Sequence, residues 1–272
     1  MIHMEQKRIV GFVVSFLLIA GSFAAFSFFK VISPSNEQTA AFVERVVDGD
    51  TVLLSDGEYV RLLGIDTPER SQLLYEEAKA RLQQLAETKN VTLEKDVTNK
   101  DKYQRLLRSL FVNNSLANVQ IVRDGLARPL VIGPDRKYAD LIAAAAEQAR
   151  LQGTGVWNLT EGQWCVYIRQ FSPNPPGADE HNLNGEKVVL RNKCTTALQL
   201  DGWMLSNTAG RTFLLPNLTI LPKGLLTVRS GNGTDNATDV FLSSVQPAWK
   251  NSKEAATLRD GEGRLVARLE RG

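Results

Sequence analysis

Two Asp-Gly pairs, Asp48-Gly49 and Asp56-Gly57, cut residues 41–65 into three short apolar runs. Asp-Gly between apolar runs is a strong local hairpin signal. Ala41–Val47, Thr51–Ser55 and Tyr59–Ile65 are therefore expected as successive strands. Residues 75–88 switch period, with Ala78, Leu82, Leu85 and Ala86 at helical spacing. Val91–Val97 and Leu106–Val112 read as two further strands. Ser115 is expected to cap a helix that ends at Asp124-Gly125. Arg136–Gln152 is an alanine-rich helix stopped by Gly153 and Gly155. Strands, helix, strands and two helices suit an OB-fold, a five-stranded β-barrel with three flanking helices.

The texture changes after Trp157-Asn158. Ser172-Pro-Asn-Pro-Pro-Gly177 is a breaker cluster. Beyond it, Lys187–Arg191, Trp203–Leu205, Thr212–Leu214, Leu225–Arg229, Ala256–Arg259 and Leu265–Arg268 are candidate strands without a helical period, the pattern of a β-sandwich. At 272 residues the chain has room for two ordinary domains and a short extra segment. The expected fold class is mostly β and multidomain. Its parts are an N-terminal segment over 1–35, a barrel domain over 38–160 and a sandwich over 163–272.

The N-terminal segment reads as targeting sequence. Lys7-Arg8 precede an uncharged run from Ile9 to Phe29 that Lys30 closes. That run is long enough to span a bilayer core of roughly 30 Å, and the preceding charges favour an inside N-terminus. Either a retained transmembrane anchor or a cleaved signal peptide, with Ala20-Gly21-Ser22 as a poor cleavage site, leads to export. Asn-x-Ser/Thr acceptors at Asn90, Asn113, Asn158, Asn217, Asn232 and Asn236 fit an exported surface, or alternatively a set of polar β-turns. Cys165 and Cys194 could form one bridge in an oxidising compartment or remain two buried thiols. With no nearby histidine they do not suggest a zinc site.

Residues 36–160 carry about two net negative charges, so this segment is not a basic nucleic-acid sponge. Its chemistry is concentrated in Asp48-Gly-Asp50-Thr51, Arg61-Leu-Leu-Gly-Ile-Asp66-Thr67-Pro-Glu69 and Asp101-Lys102-Tyr103-Gln104-Arg105. Singly, each is an ordinary turn, helix start or surface charge. Together, and at strand ends, they suit phosphodiester cleavage. Asp50 and Asp66 could converge on a hard divalent cation that offsets the phosphate charge. Glu69 could take a proton from an attacking water. Arg61 and Arg105 could donate paired hydrogen bonds to phosphoryl oxygens as charge builds.

On these motifs, with Tyr75-Glu-Glu-Ala78, Gly125-Leu-Ala127 and Gly155-Val-Trp157, residues 40–160 resemble the thermonuclease family, the staphylococcal-nuclease-like domain. The resemblance implies an OB-fold and Ca²⁺-dependent cleavage of DNA and RNA at the 5′ P–O bond, leaving 3′-phosphate ends. It implies that Asp50, Asp66 and the carbonyl of Thr67 are calcium ligands, with Asp48 supporting them from behind. Glu69 would be the base, Arg61 and Arg105 phosphate clamps, and Lys102 and Tyr103 contacts to a terminal phosphate. Two departures stand out. The stretch after Gly-Leu-Ala, Arg128–Gly133, lacks the two tyrosines that line the family's nucleotide pocket, with Tyr138 as the one nearby substitute. The loop Arg70–Leu74 is also short.

The C-terminal half resembles a lamin tail domain through Asn184–Asn192, Leu200-Asp-Gly-Trp-Met-Leu205, Leu221-Pro-Lys-Gly224, Trp249-Lys-Asn251 and Thr257–Gly261. That implies an immunoglobulin-like sandwich with a binding or tethering role and an unspecified ligand. Trp203 and Trp249 are expected in its core. The combined expectation is a monomeric, exported nuclease acting on DNA and RNA. The competing expectation is a non-catalytic surface module that binds nucleic acid or envelope.

Overall fold

Residues 38–178 and 181–271 are described by a computed structural model. The apolar run at 9–29 lies outside them. No helix among the described residues is long and apolar enough to cross a membrane.

The Asp-Gly turns produce the expected meander. β1 (Gln38–Asp48), β2 (Thr51–Leu54) and β3 (Tyr59–Leu62) run antiparallel, and β4 (Gly64–Asp66) follows directly. Helix α1 (Tyr75–Ala86) buries Ala78, Leu82 and Ala86. Then come β5 (Asn90–Glu94), β6 (Leu106–Val112), the short β7 (Ser115–Leu116), α2 (Ala117–Arg123), β8 (Arg128–Leu130) and α3 (Ala139–Leu151). Two register shifts bend β1, so its first half pairs with β5 and its second with β2. β5 pairs with β6, and β6 runs parallel to β3. The order β1-β2-β3-β6-β5 thereby closes into a five-stranded barrel. Val43, Val52, Val60 and Leu110 are fully buried within it.

One local expectation is corrected. Ser115 belongs to β7 and caps nothing; Leu116 stands at the start of α2 without a side-chain cap. Tyr138 does not reach a nucleotide pocket. It is buried, packed edge-on against Phe111 at 5.7 Å, and its hydroxyl donates to Glu94 at 2.9 Å.

A capping box of Thr160 and Gln163 starts α4 (Glu161–Cys165), which feeds β9 (Val166–Ser172). The sandwich continues with β10 (Lys187–Asn192), β11 (Leu198–Gln199), β12 (Met204–Ser206), β13 (Thr212–Leu214), β14 (Thr219–Ile220), β15 (Leu225–Arg229), β16 (Asp239–Phe241), β17 (Glu254–Arg259) and β18 (Leu265–Arg271). Its two main sheets are β16-β15-β10-β9 and β13-β12-β17-β18. Trp203 and Trp249 lie in the shared core, the latter 5.6 Å from Phe171.

The two domains are not beads on a linker: the described residues fall in one compact unit. The short segment before α1 is the fastener. Ser71 Oγ accepts from the Ile168 N–H and the Ser71 carbonyl from the Arg268 N–H, both at 2.8 Å. Gln72 Nε2 donates to the carbonyls of Trp164 (2.7 Å), Gln163 (3.1 Å) and Val166 (3.2 Å). The departure in loop length thus has a structural use, because the loop is docked between β9 and β18.

Candidate active site

The β1–β2 turn delivers Asp50 into the protein. Gly49 is required by proximity: a Cβ there would stand 2.8 Å from Ala78 Cβ and 2.9 Å from Thr67 Cβ. Asp48 Oδ1 accepts the Asp50 N–H at 3.1 Å and shapes the turn. The buried Asp50 carboxylate accepts from the N–H (3.1 Å) and hydroxyl (2.8 Å) of Thr67 and from the Thr51 hydroxyl (3.1 Å). It also pairs with Arg61 Nε at 3.1 Å. Burial opposes its charge, but Arg61 and the Thr67 bonds prevail and hold the carboxyl below its usual range. Asp48 goes the other way. Burial and the neighbouring Asp50 charge push its carboxyl up to about 7.

Arg61 projects from β3 and is largely committed to the protein. Besides Asp50, it donates from Nη1 to the Leu62 carbonyl (2.6 Å) and from Nη2 to the Ile65 carbonyl (2.7 Å). With five donors in a guanidinium, it retains N–H groups for a further anion. Arg105 is aimed by a loop. Asp101 Oδ1 accepts the N–H groups of Tyr103 (2.8 Å) and Arg105 (3.0 Å), while Oδ2 accepts Arg105 Nε (2.8 Å) and Nη2 (2.7 Å). Lys102 and Tyr103 sit at the tip of this loop, with the Lys102 ammonium 5.0 Å from the exposed Tyr103 ring. Sequence reasoning gave Asp101 no task. The signal was its position four residues before Arg105.

β4 ends at Asp66, and Thr67 follows it against Asp50. Glu69 follows at the cleft mouth with a solvent-exposed face. The surrounding walls still desolvate its carboxyl and raise it above the usual range. A cation, Lys193, opposes that rise, and Asp50 and Asp66 add to it. All of these groups, Asp48, Asp50, Arg61, Asp66, Glu69 and Arg105, line one cleft of about 640 Å³.

Lys193 is the residue that sequence reasoning missed. It comes from the sandwich, just after β10, yet its ammonium lies 3.2 Å from Asp66 Oδ2 and 3.2 Å from the Thr67 carbonyl oxygen. Trp164 lies beneath it, 3.6 Å from Nζ to ring centre. The Arg128 guanidinium also lies over the Trp164 ring, 4.5 Å from its centre, and 5.1 Å from the Trp157 ring. Burial lowers the Lys193 pKa, against the pull of Asp66 and Glu69. Cys165 and Cys194 form a disulfide, which anchors the lysine's backbone beside α4.

Among the described residues no group of three or more His, Cys, Asp or Glu side chains has the arrangement of a metal site. The oxygen set is smaller: two carboxylates and one carbonyl. Its chemistry nevertheless suits a hard cation, since Asp66 and the Thr67 carbonyl already hold a cationic group between them.

Comparison with known proteins agrees with this geometry. The family model described as staphylococcal nuclease homologue matches residues 59–159, and the Lamin Tail Domain model matches residues 162–272. The chain is 35% identical over 138 residues to the thermonuclease of Staphylococcus intermedius, covering 47% of this chain and 82% of that protein. It is 32% identical over 136 residues to the thermonuclease of Staphylococcus hyicus, covering 47% and 80%. A protein of Haemophilus influenzae described as an uncharacterized endonuclease is 33% identical over 134 residues, covering 47% and 72%. With the acidic pair, the two arginines and the barrel that presents them, these matches place the chain in the staphylococcal nuclease family, with a lamin tail domain attached.

Proposed function

We propose that the chain is an exported, Ca²⁺-dependent endonuclease that hydrolyses DNA and RNA at the 5′ P–O bond and leaves 3′-phosphate ends. The observation that carries this reading is the gathering of Asp50, Asp66, Glu69, Arg61 and Arg105 on one cleft. Phosphodiester hydrolysis by a nuclease follows from the family. Export rests on the apolar run at 9–29, either as a retained anchor or as a cleaved signal.

Asp50, Asp66 and the Thr67 carbonyl are the residues that would hold calcium. Bound there, the ion would offset phosphate charge and favour attack at phosphorus. Glu69 accepts a proton from water as the water oxygen bonds to phosphorus. The bond from phosphorus to the 5′ oxygen then breaks, and that oxygen takes a proton from solvent. Arg105, held by Asp101, donates to the phosphoryl oxygens as their charge grows. Arg61 does so with the N–H groups that Asp50 and the two carbonyls leave over. Lys102 and Tyr103, at the loop tip and lining the same cleft, would contact a terminal phosphate.

The full chain should degrade DNA in calcium and stop in a chelator. Glu69→Gln should remove most turnover. Because the Glu69 carboxyl is raised above its ordinary 4.5 and acts deprotonated, kcat/KM should rise with pH through a midpoint above that value. Equal activity of wild type and Glu69→Gln would sink this assignment. DNA binding in chelator with no turnover in calcium would instead favour the binding-only reading, which draws its support from the internal pairing of Asp66 with Lys193.

A further inference from the structure

Lys193 has no counterpart in the barrel's own motifs. It is contributed by the second domain, 126 residues from Thr67 in sequence. Its side chain is only 10% exposed, and its nitrogen bonds both Asp66 Oδ2 and the Thr67 carbonyl oxygen at 3.2 Å. Those two oxygens are members of the set that the nuclease reading assigns to calcium. Calcium binds oxygen at about 2.3–2.6 Å. A divalent ion and an ammonium drawing on the same two oxygens would repel each other at close range.

The lysine backbone is held by bonds that do not involve its side chain. Lys193 N donates to the Cys165 carbonyl at 2.8 Å, and the Cys165–Cys194 bridge closes the same corner. Cys194 N donates to Asn192 Oδ1 at 2.9 Å, and Lys223 donates to the Lys193 carbonyl. The side chain depends on one carboxylate, one carbonyl and the Trp164 face. Rotation of its four-carbon stem would break none of these backbone bonds.

We propose that Lys193 is a resident competitor cation: in the resting chain its ammonium holds Asp66 and the Thr67 carbonyl, and a divalent ion must displace it. The sandwich domain thereby sets the calcium threshold of the barrel's active site. This rests on the nuclease reading for the identity of the ion. Its own content is that removing the charge at 193 tightens calcium binding, the opposite of what removing a supporting residue would do.

The test is calcium titration of the full chain by calorimetry, repeated with Tb³⁺ using luminescence sensitised by Trp164. Lys193→Met keeps the apolar stem over Trp164 and removes the charge; Lys193→Gln is the second variant should Lys193→Met fold poorly. Calcium affinity at least tenfold tighter in the neutral variant, with Lys193→Arg close to wild type, supports the proposal. Unchanged or weaker affinity in both neutral variants, alongside calcium-dependent cleavage by wild type, overturns it and leaves the nuclease reading standing. No calcium binding by any variant overturns both. Cleavage by wild type in chelator that is lost in Lys193→Met also overturns it, because Lys193 would then replace the metal ion.

Discussion

Asp101 holds Arg105, and replacing it by asparagine should separate the arginine's charge from its aim. In Asp101→Asn the amide oxygen can still accept the Tyr103 and Arg105 N–H groups, so the loop turn survives. What disappears is the acceptor for Arg105 Nε and Nη2. The freed side chain then regains about 1.5–2 kcal/mol of rotamer entropy that must be given up again in the transition state. At 1.36 kcal/mol per factor of ten, kcat should fall about 10–30-fold. Removing the guanidinium itself, in Arg105→Ala, should cost roughly 10²–10³. The informative variant is the double one. If Asp101 acts only through Arg105, Asp101→Asn on an Arg105→Ala background should change kcat by less than about twofold. Single-turnover cleavage of a short labelled single-stranded DNA in calcium measures all four enzymes. Multiplicative losses in the double variant would refute the positioning role.

Two further perturbations test the frame around the site. Folding raises the Asp48 carboxyl from 3.8 to about 7, so the unfolded chain gives up that proton more readily, and stability should drain away as pH rises between those values. Asp48→Asn should flatten that decline in urea unfolding measured in chelator; a decline identical to wild type would count against it. Replacing both cysteines by serine removes a bridge of sequence separation 29 and should lower unfolding free energy by about 3–4 kcal/mol, unless mass spectrometry of unreduced protein finds two free thiols.

The barrel was legible because its information is local. Asp-Gly pairs mark the β1–β2 and β2–β3 turns, and a period of 3.6 marks α1 and α3. The candidate cleft residues were legible because Asp50, Arg61, Asp66 and Arg105 lie within or directly beside strands, in order along the chain. The rest was encoded at long range. β9 lies directly against the breaker cluster at Ser172-Pro173, so it was not singled out as a strand. Ser115 has cap chemistry, but pairing with Val112 takes it into a strand instead. Gln72 meets three carbonyls more than ninety residues away, and Lys193 meets Thr67 across 126. No local period reports such contacts, and a lone lysine after a strand reads as surface charge.

The fastening of residues 71–72 to the sandwich bears on how this chain can be divided. A cut near residue 160 would look clean on any map of family matches, which meet between 159 and 162. It would nonetheless strip Gln72 of all three carbonyls, Ser71 of both partners, Arg128 of the Trp164 ring and Asp66 of Lys193. The excised barrel would keep its motifs and lose part of the wall behind them. Activity measured on such a piece would describe a cleft without the Lys193 charge beside Asp66.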